Sequence, residues 1–418
     1  MRGIRAVIAL AAVGVVAAAA AAPPAPRWVG SWSAAQQLPE PANQLPDAAL
    51  QGGLLRQVVH LSAGGGMIRV RISNAYGTAP LHLAEVHVAR PLPGTPGAIV
   101  DGSDRLLRFS GNAEVTVPAG ADYVSDPLDV PVAPLSDLAV TLRYASLAGQ
   151  PTGHPGSRAT SFLASDGDAA VPLLSQAVAL AHWYMLAGVE VSGPALRGTV
   201  VAFGDSITDG RGSVPDANNR WPDDLARRLQ AAPASRGIGV LNMGIGGNRL
   251  LLDGLGPNGL ARFDRDVLAQ PGVRWLILLE GINDLGVLTR DAPVSPAEHE
   301  ALVARLVAAY RQIALRAHAH GIAVMAGTLL PWLGFTYYHP DALNEADRQA
   351  LNAWIRTPGN FDAVVDFDRV LRDPAAPGRL LPQFESGDHL HPSPAGYQAM
   401  ADAIPLAFFA QPRKARRR

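Results

Sequence analysis

Thr199-Val200-Val201-Ala202-Phe203-Gly204-Asp205-Ser206-Ile207-Thr208-Asp209-Gly210 is the stretch on which the reading of this chain turns. Thr199 to Phe203, mostly β-branched or apolar, read as a fully buried strand. Gly204 and Asp205 break it, a serine sits at the break, and a polar segment leads to a helical pattern that resumes near Arg220. A serine at the carboxyl end of a parallel strand lies where open α/β sheets place their ligands. A helix starting there surrounds Ser206 with backbone N–H groups. Taken alone, Asp205 and Ser206 serve equally well as turn and cap residues, so the remainder of the chain has to decide.

Toward the C-terminus the pattern repeats. Buried-strand candidates at Thr199–Phe203, Gly239–Asn242, Arg274–Leu279, Ala323–Gly327 and Val364–Phe367 alternate with helical segments near 220–231, 259–269, 296–319, 342–356 and 394–409. Five β/α repeats predict a parallel sheet with helices on both faces. Toward the N-terminus the character changes. Ile68, Val70 and Ile72 alternate with Arg69 and Arg71, and Leu138, Val140, Leu142 and Tyr144 do the same, the period-2 signature of half-buried strands. Leu81 and Leu83 flank His82, and Val115 and Val117 flank Thr116. Gly64-Gly65-Gly66 reads as a hairpin connection, and His182 to Val191 as the last strand. An all-β sandwich is the expected architecture of residues 27–196, followed by an α/β domain over 197–411 and a basic tail at 412–418.

Hydrophobic residues at 48% and charged residues at 17% describe a folded globular chain rather than a disordered one. A net charge of −1 argues against a nucleic-acid partner. Residues 1–22 read as a signal peptide: Arg2 and Arg5, then apolar Ala6 to Ala18, then small residues at Ala19 to Ala22. That predicts a secreted or periplasmic protein with no stable membrane span once the signal is cleaved. The chain has no cysteine, which excludes thiolate nucleophiles and cysteine metal sites. No cofactor or metal is called for.

Polar residues gather at four strand ends of the second domain. These are Ser206; Asn242-Met243-Gly244-Ile245-Gly246-Gly247-Asn248; Glu280-Gly281-Ile282-Asn283-Asp284; and Asp388-His389-Leu390-His391-Pro392-Ser393. Together they supply what acyl transfer requires. A serine hydroxyl is a weak nucleophile and needs a base, the base needs an orienting carboxylate, and the oxyanion needs aimed donors. Ser206, His391 and Asp388 can fill the first three roles. The N–H groups of Ser206 and Gly247 and the amide of Asn283 can be the donors.

At this point the four blocks, in this order over about 190 residues, resemble those of the SGNH hydrolases, also called GDSL esterases/lipases. The resemblance implies a flavodoxin-like domain around a five-stranded parallel sheet. It also implies Ser206 as nucleophile, Gly247 and Asn283 as oxyanion donors, and Asp388 with His391 as the acid–base pair. The spacing from Asn242 in similar family members points to Gly247, with Gly244 and Gly246 as alternatives, and the family's Asp-x-x-His pattern selects His391 over His389. The two-part plan, with Gly30-Ser31-Trp32 opening the sandwich, resembles a secreted subgroup of the family linked to polysaccharide breakdown.

These features predict a serine esterase acting on short-chain, chiefly acetyl, esters of carbohydrates or other polar alcohols, so that an acetylated saccharide is the expected partner. A lipase, lysophospholipase or thioesterase uses the same machinery and is the alternative. A non-enzymatic carbohydrate-binding protein is disfavoured by the full set of site residues, and a metallohydrolase using Asp388, His389 and His391 lacks a further clustered ligand. Trp332, Tyr337 and Tyr338, with Phe335, follow the fourth strand and are the candidates for lining an acyl pocket or stacking on a sugar ring.

Overall fold

The computed structural model describes residues 27–45, 52–147 and 149–410. The expected signal peptide and basic tail lie outside the described residues. The first half contains β1 (Trp28–Ser33), β2 (Leu54–Leu61), β3 (Met67–Ser73), β4 (Leu81–Ala89), β5 (Arg105–Leu106), β6 (Val115–Val117), β7 (Asp122–Val124) and β8 (Ser136–Leu147). It continues with β9 (Gly153–His154), β10 (Ser161–Ala164), β11 (Val178–Leu180), β12 (Trp183–Tyr184) and β13 (Leu186–Ser192). One antiparallel sheet has the order β1-β13-β3-β7; the other runs β11-β10-β2-β8-β4-β5, with β6 on β4. Their inward residues, among them Val29, Ile68, Val70 and Val189 from one sheet and Leu55, Val59, Val140 and Leu142 from the other, form one apolar core. Alternation buries one face of strands such as β3, while β13 is buried along its whole length, and the two apolar faces close a sandwich.

Two expectations need correction here. Gly64-Gly65-Gly66 does not connect a hairpin, because β2 and β3 lie in different sheets. The glycines allow a crossing at close quarters: a Cβ at Gly64 would stand 2.5 Å from the Val132 carbonyl oxygen, and one at Gly65 2.7 Å from that of Ser192. Nor is His182–Val191 one strand. Met185, at φ 53°, turns the chain between β12, which pairs with β9, and β13, which lies between β1 and β3.

The second half contains β14 (Gly198–Gly204), α1 (Ser206–Asp209), α2 (Trp221–Ala231), β15 (Ile238–Gly244), α3 (Gly259–Phe263), β16 (Val273–Leu279), α4 (Ile282–Thr289) and α5 (Pro296–Ala319). Then come β17 (Ala323–Gly327), α6 (Ala342–Arg356), β18 (Ala363–Val365), α7 (Phe367–Leu371), β19 (Arg372–Asp373), β20 (Ala376–Leu380), α8 (Pro394–Ala403) and α9 (Ala407–Ala410). Five parallel strands take the order β15-β14-β16-β17-β18, the flavodoxin-like winding. Every residue of β14 is buried, as a central parallel strand requires. α2 packs on α8, and α5 on α6.

Three boundaries differ from the sequence reading. β18 stops at Val365, because Asp366 caps α7 by accepting from the Arg369 N–H. The last helix breaks before Pro405, whose ring cannot continue it. The 259–269 segment passes from α3 into a single wider turn at Asp264–Leu268.

β15 is an edge strand, and the sandwich covers it. The Gly30 N–H of β1 donates to Thr199 Oγ1 (3.0 Å) and Pro271 O (3.2 Å). Ser62 Oγ accepts from the Val240 N–H (2.8 Å) and donates to the Val240 carbonyl (3.0 Å). A Cβ at Gly239 would stand 2.0 Å from the Gly30 carbonyl oxygen, so only glycine fits. The exposed N–H and C=O row that makes edge strands sticky is thereby occupied in part from within the chain.

Candidate active site

The order of the sheet reverses between β14 and β16, and beyond their carboxyl ends opens the crevice where doubly wound sheets bind ligands. Ser206 opens α1 directly after β14. Asp205 caps that helix, its Oδ1 accepting from the Ile207 N–H at 2.9 Å. The last block lies just before α8 and brings its histidine to the serine: Ser206 Oγ stands 2.7 Å from His391 Nε2. On the other side of the ring, His391 Nδ1 stands 2.6 Å from Asp388 Oδ2. Asp388 Oδ1 accepts from the backbone N–H groups of His391 (2.9 Å) and Leu390 (3.1 Å), which locks the carboxylate beneath the ring.

Burial pulls the His391 imidazole below its usual pKa. Asp388 opposes that shift, while the positive charges of Arg211 and Arg158 add to it. Burial by itself would raise Asp388, but the His391 hydrogen bond and charge, with the two backbone donors, outweigh it and hold the carboxyl well below the usual range. A neutral imidazole between a hydroxyl and a fixed carboxylate is set to take a proton from the hydroxyl.

The second and third blocks meet beside this group. Asn283 lies in the first turn of α4, a helix that the sequence patterning did not single out. Its Oδ1 accepts from the Tyr338 hydroxyl (2.9 Å) and its Nδ2 donates to Asn248 O (2.8 Å), which orients the amide and leaves one Nδ2 hydrogen free. Asp284 accepts from the N–H groups of Leu250 (2.7 Å) and Leu251 (2.9 Å) and so ties the glycine loop to α4. Among the three glycines, the Gly244 N–H is taken up by Asn242 Oδ1 (2.9 Å). The N–H groups of Ser206, Gly246 and Gly247 have no partner among the described residues. Gly247, at φ 72°, sits in a turn closed by the Asn248 N–H on Ile245 O (3.1 Å), a conformation that favours glycine.

Beneath the site lies a buried charge cluster. Arg262 donates to the carbonyls of Gly204 (2.9 Å) and Met243 (2.7 Å), to Asn248 Oδ1 (2.8 Å) and to Asp266 (3.1 Å). It thus ties together the ends of β14 and β15. Burial pushes the Asp205 carboxyl up to about 7 and raises Glu280 well above its usual range, and each also feels the charge of nearby carboxylates. Asp205 Oδ2 and Glu280 Oε1 have no partner among the described residues.

The aromatic candidates separate. Trp332 is fully buried and offers no face to a ligand, which removes it from the substrate-binding candidates. Tyr338 is 5% exposed and orients Asn283 rather than presenting a stacking platform. Tyr337 is 57% exposed, beneath the Arg290 guanidinium. Phe335 meets the His391 ring edge-to-face at 5.9 Å. His389, at φ 70°, turns to Glu385 (2.8 Å) and stays outside the serine–histidine pair. The sequence reading missed Tyr338 as the partner of Asn283, Arg262 as the tie beneath the strands, and a segment of the sandwich, residues 153–160, that lies along α1. Only Arg262 left a local trace, a charge on the inward face of a helical pattern.

Fold and site together define a flavodoxin-like α/β domain with a serine, a histidine and an aspartate in contact beyond its strand ends. Residues 202–399 match the family model of the GDSL-like lipase/acylhydrolase family. Residues 202–399 are thus a hydrolase domain of that family. A comparison with curated proteins finds no match. Among solved structures the chain is similar to a GDSL-like lipase from Bacteroides thetaiotaomicron, at 21% identity over 51% of this chain and 88% of that one, with a TM-score of 0.38. It is also similar to an acetyl xylan esterase, at 19% identity over 49% and 96% of the two chains, with a TM-score of 0.36. Among the described residues no helix is long and apolar enough to cross a membrane, and no group of three His, Cys, Asp or Glu side chains could hold a metal ion.

Proposed function

We propose that the protein is a serine esterase in which Ser206 attacks the ester carbonyl, His391 takes the hydroxyl proton, and Asp388 holds the imidazole and offsets its charge. The observation that carries this reading is the continuous contact from Ser206 Oγ to His391 Nε2 (2.7 Å) and from His391 Nδ1 to Asp388 (2.6 Å). The N–H groups of Ser206 and Gly247 and the free Nδ2 hydrogen of Asn283 receive the negative charge that develops on the carbonyl oxygen. Collapse of the tetrahedral intermediate breaks the bond to the alcohol, which leaves with the proton from His391. Water, deprotonated in turn by His391, then releases the acid and restores Ser206.

The substrate in this reading is a short acyl group, chiefly acetyl, on a sugar or other polar alcohol. Leu255 supports a small acyl pocket, since its side chain packs so close to Gly247 that a Cβ there would stand 2.5 Å from it. Tyr337 supports a polar, ring-shaped alcohol. The N-terminal reading of Arg2, Arg5 and the apolar run that follows supports export. One observation favours a second reading, longer acyl chains: Leu252 and Leu255 are 51% and 44% exposed. Aryl esters of rising chain length separate the two. Catalytic efficiency falling from acetyl to octanoyl supports the small pocket, and a steady rise supports a lipase, because each buried methylene contributes about 0.8 kcal/mol. Ser206→Ala should lower turnover by several orders of magnitude with the fold intact; a variant that keeps most of its activity refutes the serine mechanism.

A further inference from the structure

The sandwich does more than cover the edge of the parallel sheet. Its segment from His154 to Thr160 is fastened to the nucleophile region at several points. His154 Nε2 stands 2.9 Å from Asp209 Oδ1, at the end of the helix that Ser206 opens. Gly156 lies so close to the same carboxylate that a Cβ would stand 1.9 Å from Oδ2. Ser157 O accepts from Arg220 Nη1 (3.2 Å), and Arg158 O accepts from the Asp216 N–H (2.9 Å).

Arg158 sits in this segment at φ 49°, a left-handed conformation that few non-glycine residues adopt. Its Nε is buried without a hydrogen-bond partner, and among the described residues no carboxylate pairs with it. Buried arginines of the hydrolase domain are saturated: Arg220 bonds Asp223, Asn218 and Ser157 O, and Arg262 bonds two carbonyls, Asn248 and Asp266. A half-buried guanidinium without a counter-ion is unfavourable unless something else supplies the anion. Its charge reaches the site, since it acts on His391 and on Tyr397. Arg211 acts on the same imidazole from the other domain. Its backbone oxygen takes the Tyr397 hydroxyl (2.6 Å), and its guanidinium, 60% exposed, lies 3.7 Å from Asp388.

Which side of the substrate these cations face follows from the chemistry. His391 hands its proton to the departing alkoxide, so the alcohol portion lies against His391 and the acyl portion against the oxyanion donors. We infer that Arg158, supplied by the sandwich, and Arg211, supplied by the hydrolase domain, form a subsite for a carboxylate on the alcohol portion of the ester, as in an acetylated uronic acid. This inference rests on the serine-esterase reading above. The planar fork of arginine suits a carboxylate, and a subsite built from both domains gives the sandwich a direct part in substrate choice.

The test compares 3-acetoxybenzoate with its neutral amide, 3-acetoxybenzamide, on the whole protein. The wild type should favour the carboxylate in kcat/KM by roughly 10-fold to 100-fold at low salt, chiefly through KM, given the usual strength of charge-assisted hydrogen bonds. Added salt should shrink that preference. Arg158→Gln should bring the ratio close to one, Arg158→Lys should keep part of it, and Arg211→Gln should lower it less, since Arg211 is more exposed. Calorimetric binding of 3-hydroxybenzoate against 3-hydroxybenzamide reads the same subsite without turnover. Equal binding of the two overturns the inference. So does an Arg158→Gln variant that loses activity on both esters in equal measure, because that is what a structural role gives. Absence of turnover with the binding preference intact instead sinks the esterase reading and leaves the subsite standing.

Discussion

Two histidine–aspartate pairs lie at the two ends of α1, and they differ in what the second ring nitrogen meets. His391 bonds Asp388 through Nδ1 and keeps Nε2 against the Ser206 hydroxyl, a group that can give up a proton. His154 bonds Asp209 through Nε2 (2.9 Å), but its Nδ1 faces the Ala35 carbonyl (2.8 Å), which can only accept. Both nitrogens of His154 therefore face acceptors. The first pair is open to chemistry at one end; the second is closed at both and ties the sandwich to the hydrolase domain. The same residue types at similar distances thus do different work, decided by the atom opposite the second nitrogen.

Exchanging the two histidines for alanine tests that contrast most severely. His391→Ala should lower ester turnover by several orders of magnitude while the thermal midpoint moves little. His154→Ala should do the reverse, because it leaves Asp209 buried without its partner: a loss of about 3 kcal/mol of stability, with kcat of the folded fraction within about tenfold of wild type. If the activity losses are equal, the two pairs are not functionally distinct. Next in size is Asn283→Ala, which should cost roughly 3 kcal/mol of transition-state stabilisation, expressed in kcat. Tyr338→Phe removes only the bond that orients the amide and should cost about 1 kcal/mol, again in kcat; a pure KM effect would make both residues substrate contacts instead.

The pH profile sharpens the comparison further. In the proposed mechanism His391 must be neutral to act, and its pKa lies below the ordinary 6.5. Activity should therefore be lost as pH falls through that lowered value, so the acid limb of kcat/KM lies below 6.5. Replacing Arg211 by glutamine removes a charge that disfavours the imidazolium and should move the limb upward; a limb that stays put would show that Arg211 does not act on His391. The smallest effect belongs to His389→Ala. His389 is turned to Glu385, and its loss should change turnover less than about threefold. A larger loss with the fold intact would mean that the last block has been read in the wrong register.

Much of this arrangement was legible in the chain because its signals are local. The parallel strands are unbroken apolar runs, the sandwich strands alternate, and Ser206 stands where such a run breaks. His391 could be separated from His389 by its three-residue step from Asp388, which lets one carboxylate hold both the ring and the backbone N–H. What was not legible depends on partners distant in sequence. Gly64-Gly65-Gly66 serves a turn or a close crossing equally well until Val132 and Ser192 are known to lie against it. Trp332 and Tyr338 have the same aromatic character, and only the packing buries one and turns the other's hydroxyl to Asn283. Arg158 belongs to another domain's loop, and nothing near it in sequence announces its neighbours.

The placement of β1 on the edge of β15 has a consequence for the order in which this chain acquires structure. Gly30 waits for Thr199, 169 positions later, and Ser33 for Met243, 210 positions later. β1 also lacks its ladder partner until β13 has been synthesised. A growing chain therefore cannot complete its first domain before the start of its second exists. Such high contact order makes folding slow and leaves unpaired strands open to aggregation in the interim. Refolding should accordingly be limited by assembly of the two halves together, with the β1 seam closing last, and the hydrolase half expressed from residue 197 alone should emerge with a sticky, uncovered β15.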